Sequence, residues 1–333
     1  VAPWSAPLFS EGTALYLWQI RHIPNCPQSL LKRAIFLAAF VASFLTGYAT
    51  TPCVYGQAVD AAKPSVEPAK NESAALEFLG QVRQELQKHQ TVRADIVQNV
   101  SIAEQQFKVK GQYVSSGNPT SGMKLMLTYS VVPDQGASGE MLEVCDGKEL
   151  WTMLTLPDSK RVTHRDVLQI QKAAAAANSR NLSESALSLE LGLGGLTALL
   201  ASLERTMDFD AMKQEEVEGQ SRTIIQGRWK KEVIQRFPKE KEDLLPAFVP
   251  DLVRVYVNAE NLFPARILYL KRQPEKKTLK PLLSLEFQNV ELNEPVSDDL
   301  FVFEIPKDVI PEDITKIYLD RLAPPATPPA AKK

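Results

Sequence analysis

MLEVCDGKELWTMLTLPDSKRVTHR, residues Met141–Arg165, is the stretch whose reading decides the fold. It reads as three short strands, Met141–Cys145, Glu149–Thr155 with Trp151, and Lys160–His164, the third alternating polar residues with Val162. Alternation of that period marks a half-buried strand. Asp146-Gly147 separates the first two runs; this dipeptide most readily supplies the positive φ angles of a tight hairpin turn. Pro157-Asp158 is the turn signal before the third. A meander of this kind forms an antiparallel sheet with one greasy face and one wet face. The functional question is what the greasy face covers or holds.

Upstream, the same pattern continues. Val92–Val100 puts Val92, Ala94, Ile96, Gln98 and Val100 on one face. Gln106–Val114 aligns Phe107, Val109, Gly111 and Tyr113, and after the turn Ser115–Gly122, Met123–Val131 aligns Met123, Leu125, Leu127 and Tyr129. Ahead of these strands, Asn71–His89 carries Ala75, Leu76, Phe78, Leu79, Val82 and Leu86 at helical spacing, a single buried stripe. Downstream the period changes. Asp166–Asn178 and Ser183–Met207 read as helices, the second crowded with leucine and interrupted by Gly192, Gly194 and Gly195. Each glycine weakens a helix by about 1 kcal/mol relative to alanine. Two readings stay open for it: a movable lid over an apolar sheet, or a kinked core helix. Strands resume at Glu215–Lys231, Leu252–Asn258, Phe263–Arg272 and Leu282–Leu292. Arg236–Pro250, with its KEKED run and prolines, reads as a solvated loop, and Leu300–Ile314 as a short strand followed by a proline-interrupted segment.

Composition narrows the class. Hydrophobic content of 44% and charged content of 23% are ordinary for a globular protein. A net charge of −2 argues against nucleic-acid binding, which needs a basic surplus to neutralise phosphates. Lys32-Arg33 followed by the 16-residue, predominantly apolar run Ala34–Ala49 has the anatomy of an export signal, being shorter than the roughly 20 residues that span a bilayer. Small residues at Gly56 and Ala58 suit cleavage after Ala58; an uncleaved membrane anchor is the alternative. The expected organisation is an extension ahead of the true start at 1–30, a signal at 31–58, a linker at 59–70, one folded domain at 71–316 and a disordered Pro/Ala tail at 317–333. The mature chain keeps Cys145 as its single thiol, so no internal disulfide is expected. The localisation expected is periplasmic.

The order of these pieces, RADIVQNV, FKVKGQY, EVCDGKELWTMLTLPDSKRVTHRDV and FVFEIPKDV, resembles the outer-membrane lipoprotein carriers of the LolA type. The most telling are Asp146-Gly147-Lys148 followed by Leu150-Trp151, and Phe301-Val302-Phe303 followed by Pro306. The resemblance covers about Asn71–Ile314. It implies an α+β fold, mainly β: a strongly curved antiparallel sheet, a half-open β-barrel closed by a helical lid. It also implies an apolar cavity for acyl chains, a lipoprotein or other lipid as partner, and an inner-membrane release complex and an outer-membrane acceptor at the two ends of the route. One departure matters. Where the carriers have a Lys-Arg-Pro whose arginine helps fasten the lid, this chain has Ser115-Ser116-Gly117-Asn118-Pro119.

The residues expected to line the cavity are Ile96, Leu125, Leu127, Trp151, Met153, Leu268, Leu285 and Phe287, with Leu189, Leu193 and Leu196 on the lid. The other account of each is sealed core. A second functional reading is a lipid- or stress-sensing module of the same fold, of the RseB type, ranked lower because the Pro/Ala tail leaves no room for the domain such regulators add. A hydrolase ranks third: His164 lies near Asp166, but no Gly-x-Ser-x-Gly elbow accompanies it, and His89 sits at a helix end. No cofactor or metal site is expected, and the protein is read as a monomer. The basic stretch Lys271–Lys280 reads as a solvated hairpin loop, or as a surface steering the protein to anionic head groups.

Overall fold

The computed structural model describes residues 69–102, 105–117, 122–133, 138–177, 191–235, 245–247, 249–273 and 278–322. The extension, the signal and residues 323–333 of the tail lie outside these, as does nearly all of the linker. Helix α1 (Ala69–Lys88) leads into β1 (Thr91–Ile102), β2 (Gln105–Ser116), β3 (Lys124–Pro133), β4 (Gly139–Cys145), β5 (Glu149–Leu156) and β6 (Ser159–Asp166). Helices α2 (Val167–Ala177) and α3 (Leu191–Thr206) follow, then β7 (Met207–Val217), β8 (Gln220–Trp229), the short α4 (Lys231–Ile234), β9 (Leu252–Asn258), β10 (Pro264–Gln273) and β11 (Thr278–Leu292). A 3-10 turn at Asp298–Phe301, the two-residue β12 (Glu312–Asp313) and α5 (Thr315–Leu322) complete the fold. No described helix is long and apolar enough to cross a membrane.

All 12 strands belong to one sheet, ordered β12-β6-β5-β4-β3-β2-β1-β11-β10-β9-β8-β7. Every pair is antiparallel except β12–β6, so the sheet is mixed. Its end strands do not pair with each other, so it is open. The α+β class expected from the sequence holds.

The deciding meander forms as read. Asp146 Oδ1 accepts from the backbone N–H of Lys148 and Glu149, both at 2.8 Å, and Gly147 takes φ 97°, a value that favours glycine. Two meanders are then sewn together by β1 and β11, whose register pairs Ile96 with Phe287, Gln98 with Leu285 and Val100 with Leu283. A slip of one residue would turn every one of those side chains to the other face.

Three expectations are corrected. Strand β7 begins at Met207, where α3 ends, not at Glu215. It is an edge strand whose outer half is charged and exposed, so only Met207 and Phe209 betray the buried face. The stretch Arg236–Pro250 is not solvated throughout: Pro246, Val249 and Pro250 are buried, and Trp229 Nε1 donates to the Pro250 carbonyl at 2.7 Å. Lys271 donates to the carbonyls of Leu245, Pro246 and Val249 at 2.9–3.1 Å, so the first cation of the basic stretch binds that segment down. Finally, Leu300–Phe303 makes no strand. Phe301 is buried on the outer face among Val114, Met126 and Val144, so side-chain burial holds this segment, not a ladder. Beyond it α5 runs to Leu322 and sends Tyr318 and Leu322 into the main core.

Glycine positions test this packing. A Cβ at Gly111 in β2 would meet the Thr128 carbonyl oxygen at 1.6 Å, whereas one at Gly80 in α1 meets nothing within 4 Å. Gly111→Ala should therefore lower the urea midpoint sharply. Gly80→Ala should raise stability by roughly 0.5–1 kcal/mol, the usual difference in a helix interior. Equilibrium unfolding of the two variants checks both signs.

Candidate functional site

The candidate site is the inner face of the sheet and the helix that covers it. Ile96, Leu125, Leu127, Leu285 and Phe287 all join the main core there. Helix α3 shares that core and touches β3, β4 and the far edge strand β7 as well as α1. Its residues Leu196, Leu199, Leu200 and Leu203 are 4% exposed or less; their spacing of three and four places them on one helical face.

Trp151, Met153 and Leu268 are not on this face. In β5, Leu150 is buried in the main core and Leu154 packs against it. Alternation therefore turns Trp151 and Met153 outward. Trp151 stacks there between His164, at 4.6 Å, and Phe303, at 5.3 Å. In β10, Ile267 and Tyr269 hold the inner positions, and Leu268 clusters outside with Leu252 and Leu270. On the lid, Leu196 is in the core, Leu193 lies within the helical span of α3, and Leu189 lies outside the described residues.

The inner face also holds polar groups absent from the sequence-based set. Glu143 lies between Met141 and Cys145 in β4, at the inward phase. Its Oε1 accepts from Arg165 Nη2 at 3.3 Å and from Thr152 Oγ1 at 3.1 Å. The Arg165 guanidinium, in a residue 4% exposed, stands 5.4 Å over the Tyr318 ring. It thereby joins α5 to the sheet. Losing one member of such a pair costs about 3–5 kcal/mol, because the other is left buried and charged. The signal for this cluster was available: charged residues at inward positions of an alternating strand.

At its N-terminal end α3 is broken. Gly195 has φ 63° and ψ −163°. A Cβ there would meet Tyr113 Oη at 2.7 Å and Met123 Cε at 2.8 Å, so glycine is what lets the helix approach the sheet. The Leu196 N–H donates to Tyr113 Oη at 3.3 Å. The Tyr113 ring meets Phe287 edge-on at 5.9 Å. Beside this contact a cleft of about 20 Å³ is lined by Leu86, His89, Tyr113, Ser115, Leu196 and Thr197 among others. That is room for about one water molecule, not a hydrocarbon tail. Leu196, Leu199, Leu200 and Leu203 of α3 are packed into the same core as the inner face, in keeping with the close packing of protein interiors.

The remaining candidates take local roles. His164 Nδ1 lies 3.2 Å from Glu149 Oε2, while Asp166 Oδ1 accepts from the Gln169 N–H at 2.7 Å and caps α2. His89 Nδ1 meets Asn293 Nδ2 at 3.1 Å. Among the described residues no three His, Cys, Asp or Glu side chains gather at metal-binding distance.

The chain matches no family model and no curated protein. Among solved structures it is similar to LprF from Mycobacterium bovis, with 12% identity over 68% of this chain and 95% of that one and a TM-score of 0.37. It is similar to an outer membrane lipoprotein-sorting protein domain from Vibrio parahaemolyticus, with 12% identity over 69% and 97% and a TM-score of 0.29. A third likeness is to MucB, with 12% identity over 70% and 63% and a TM-score of 0.35. Scores this low leave any functional reading to the geometry of the interior.

Burial makes the interior alkali-sensitive. It pushes the Cys145 thiol up to about 11 and raises the phenols of Tyr113, Tyr129 and Tyr269 as well. These acids ionise first in the unfolded chain. Their contribution is whole below the unfolded values and is lost as pH climbs through them toward the folded ones. Urea midpoints should fall from about pH 9 upward, by at most about 1.4 kcal/mol per unit of pKa difference for each group. Cys145→Ala should flatten the part of the fall between about pH 9 and 11.

Proposed function

We propose that this protein is an exported binding protein that takes an acyl chain of a lipid or lipoprotein against the inner face of its sheet when α3 moves aside. The observation that carries the reading is that one glycine-broken helix buries four leucines in the same core as that face. Helix α3 touches both β4 and β7, which stand eight places apart in the strand order. That supports a sheet bent around it, a half-open barrel with α3 as lid. With α3 withdrawn, Ile96, Leu125, Leu127, Leu285 and Phe287 would face water, and an acyl chain could replace the helix's leucines. Each methylene so buried is worth about 0.8 kcal/mol, enough to offset an opened lid over a chain of ordinary length. The signal-like segment at 31–58 supports passage into the envelope, by cleavage or with the segment kept as an anchor. The resemblance to LolA-type carriers supports delivery from a release complex to an acceptor.

The burial of the α3 leucines favours a second reading, a sensing or interaction module of the same fold that stays shut. Titration with a dansylated undecanoic acid separates the two. A lidded carrier should show saturable binding with a blue-shifted emission. Leu200→Ala should tighten it by about tenfold or more, because truncating a buried leucine removes about 2–5 kcal/mol of closed-state packing. A permanently shut module would give no uptake in either protein, and Leu200→Ala would lower only its unfolding midpoint.

A further inference from the structure

The cleft at the broken end of α3 has a graded wall. Its rim is exposed at Gln87 and Gly117 and half-buried at His89 and Thr197, while its floor is Leu86, Val92, Tyr113 and Leu196, all buried. Leu196 therefore stands between the cleft and the leucine-filled interior, held by one hydrogen bond from its N–H to Tyr113 Oη. The polar groups lining the cleft are hydroxyls, an imidazole and an amide: Tyr113 and Ser115 deep in it, and Thr197, His89 and Gln87 at the rim. Among the described lining residues none is Lys, Arg, Asp or Glu. Phosphate and carboxylate sites are ordinarily built with cations. A few convergent neutral donors and acceptors on an apolar wall instead fit uncharged oxygens.

We infer that this cleft is the mouth through which the chain enters, with Leu196 as its gate, and that it seats the uncharged ester or hydroxyl end of a glycerol-linked acyl lipid. This rests on the acyl-binding reading given above. Gly195 makes the gate workable, because the chain there follows no helical path. Leu196 can shift with the segment before it without the whole of α3 unpacking.

The test uses the full mature protein with the dansylated undecanoic acid as reporter, at about pH 8, displaced in turn by 1-monopalmitoylglycerol and by palmitate. The neutral lipid should displace at a concentration about tenfold lower than palmitate, as expected for a polar end left unpaired in one case and matched in the other. Thr197→Trp and Gln87→Trp, one on each rim, should each weaken monopalmitoylglycerol binding by about tenfold or more while leaving the urea midpoint unchanged. Lys316→Trp on α5, away from the cleft, should leave binding as it is. Equal or better binding of palmitate, or normal binding by both rim variants, would overturn the mouth while leaving lipid binding intact. Failure of wild-type protein to bind the reporter or either lipid would instead remove the acyl-binding reading itself, and the mouth with it.

Discussion

A sheet this wide presents an apolar face that cannot be left wet, and the cover is the constraint on which the rest depends. Helix α3 supplies it with Leu196, Leu199, Leu200 and Leu203, each worth roughly 1.5–3 kcal/mol when fully buried. The contact is reciprocal. Without the sheet, a helix so rich in leucine has no soluble resting place; without the helix, the sheet has no dry interior. The same contact sets the reach of α1, which packs on α3 and β7 together and adds an ion pair from Arg83 to Glu204 at 2.8 Å.

The outer face is closed by different means. After β11 the chain crosses the back of the sheet, burying Phe301 among Val114, Met126 and Val144 and stacking Phe303 on Trp151. It then adds β12 alongside β6 and turns α5 inward, where Tyr318 meets Arg165. The C-terminal residues thus touch both faces and one edge. A buried ion pair such as Arg165–Glu143 adds little net stability, since desolvation offsets attraction, but it fixes where α5 sits.

Much of this was legible in the residues. The inward faces of β1, β2 and β3 follow strict alternation, and Ile96, Leu125 and Leu127 stand where it puts them. The same rule failed in β5 and β10 because Leu150-Trp151, Met153-Leu154 and Ile267–Leu270 are runs of adjacent apolar residues with no readable phase. Trp151 and Leu268 have apolar partners on the outer face, so hydrophobicity alone could not say which side was inside. Strand β7 was missed because its edge position makes it charged.

Local sequence therefore determined the strands, the Asp146-Gly147 hairpin, the leucine-rich helix and the need for a cover, since each depends on neighbours a few positions away. Tertiary structure alone decided that β1 pairs with β11, that Glu143 meets Arg165, and that the α3 leucines share one core with the sheet. Those outcomes depend on residues up to about 200 positions apart meeting in one register, and no local pattern encodes the volume left between them once they do.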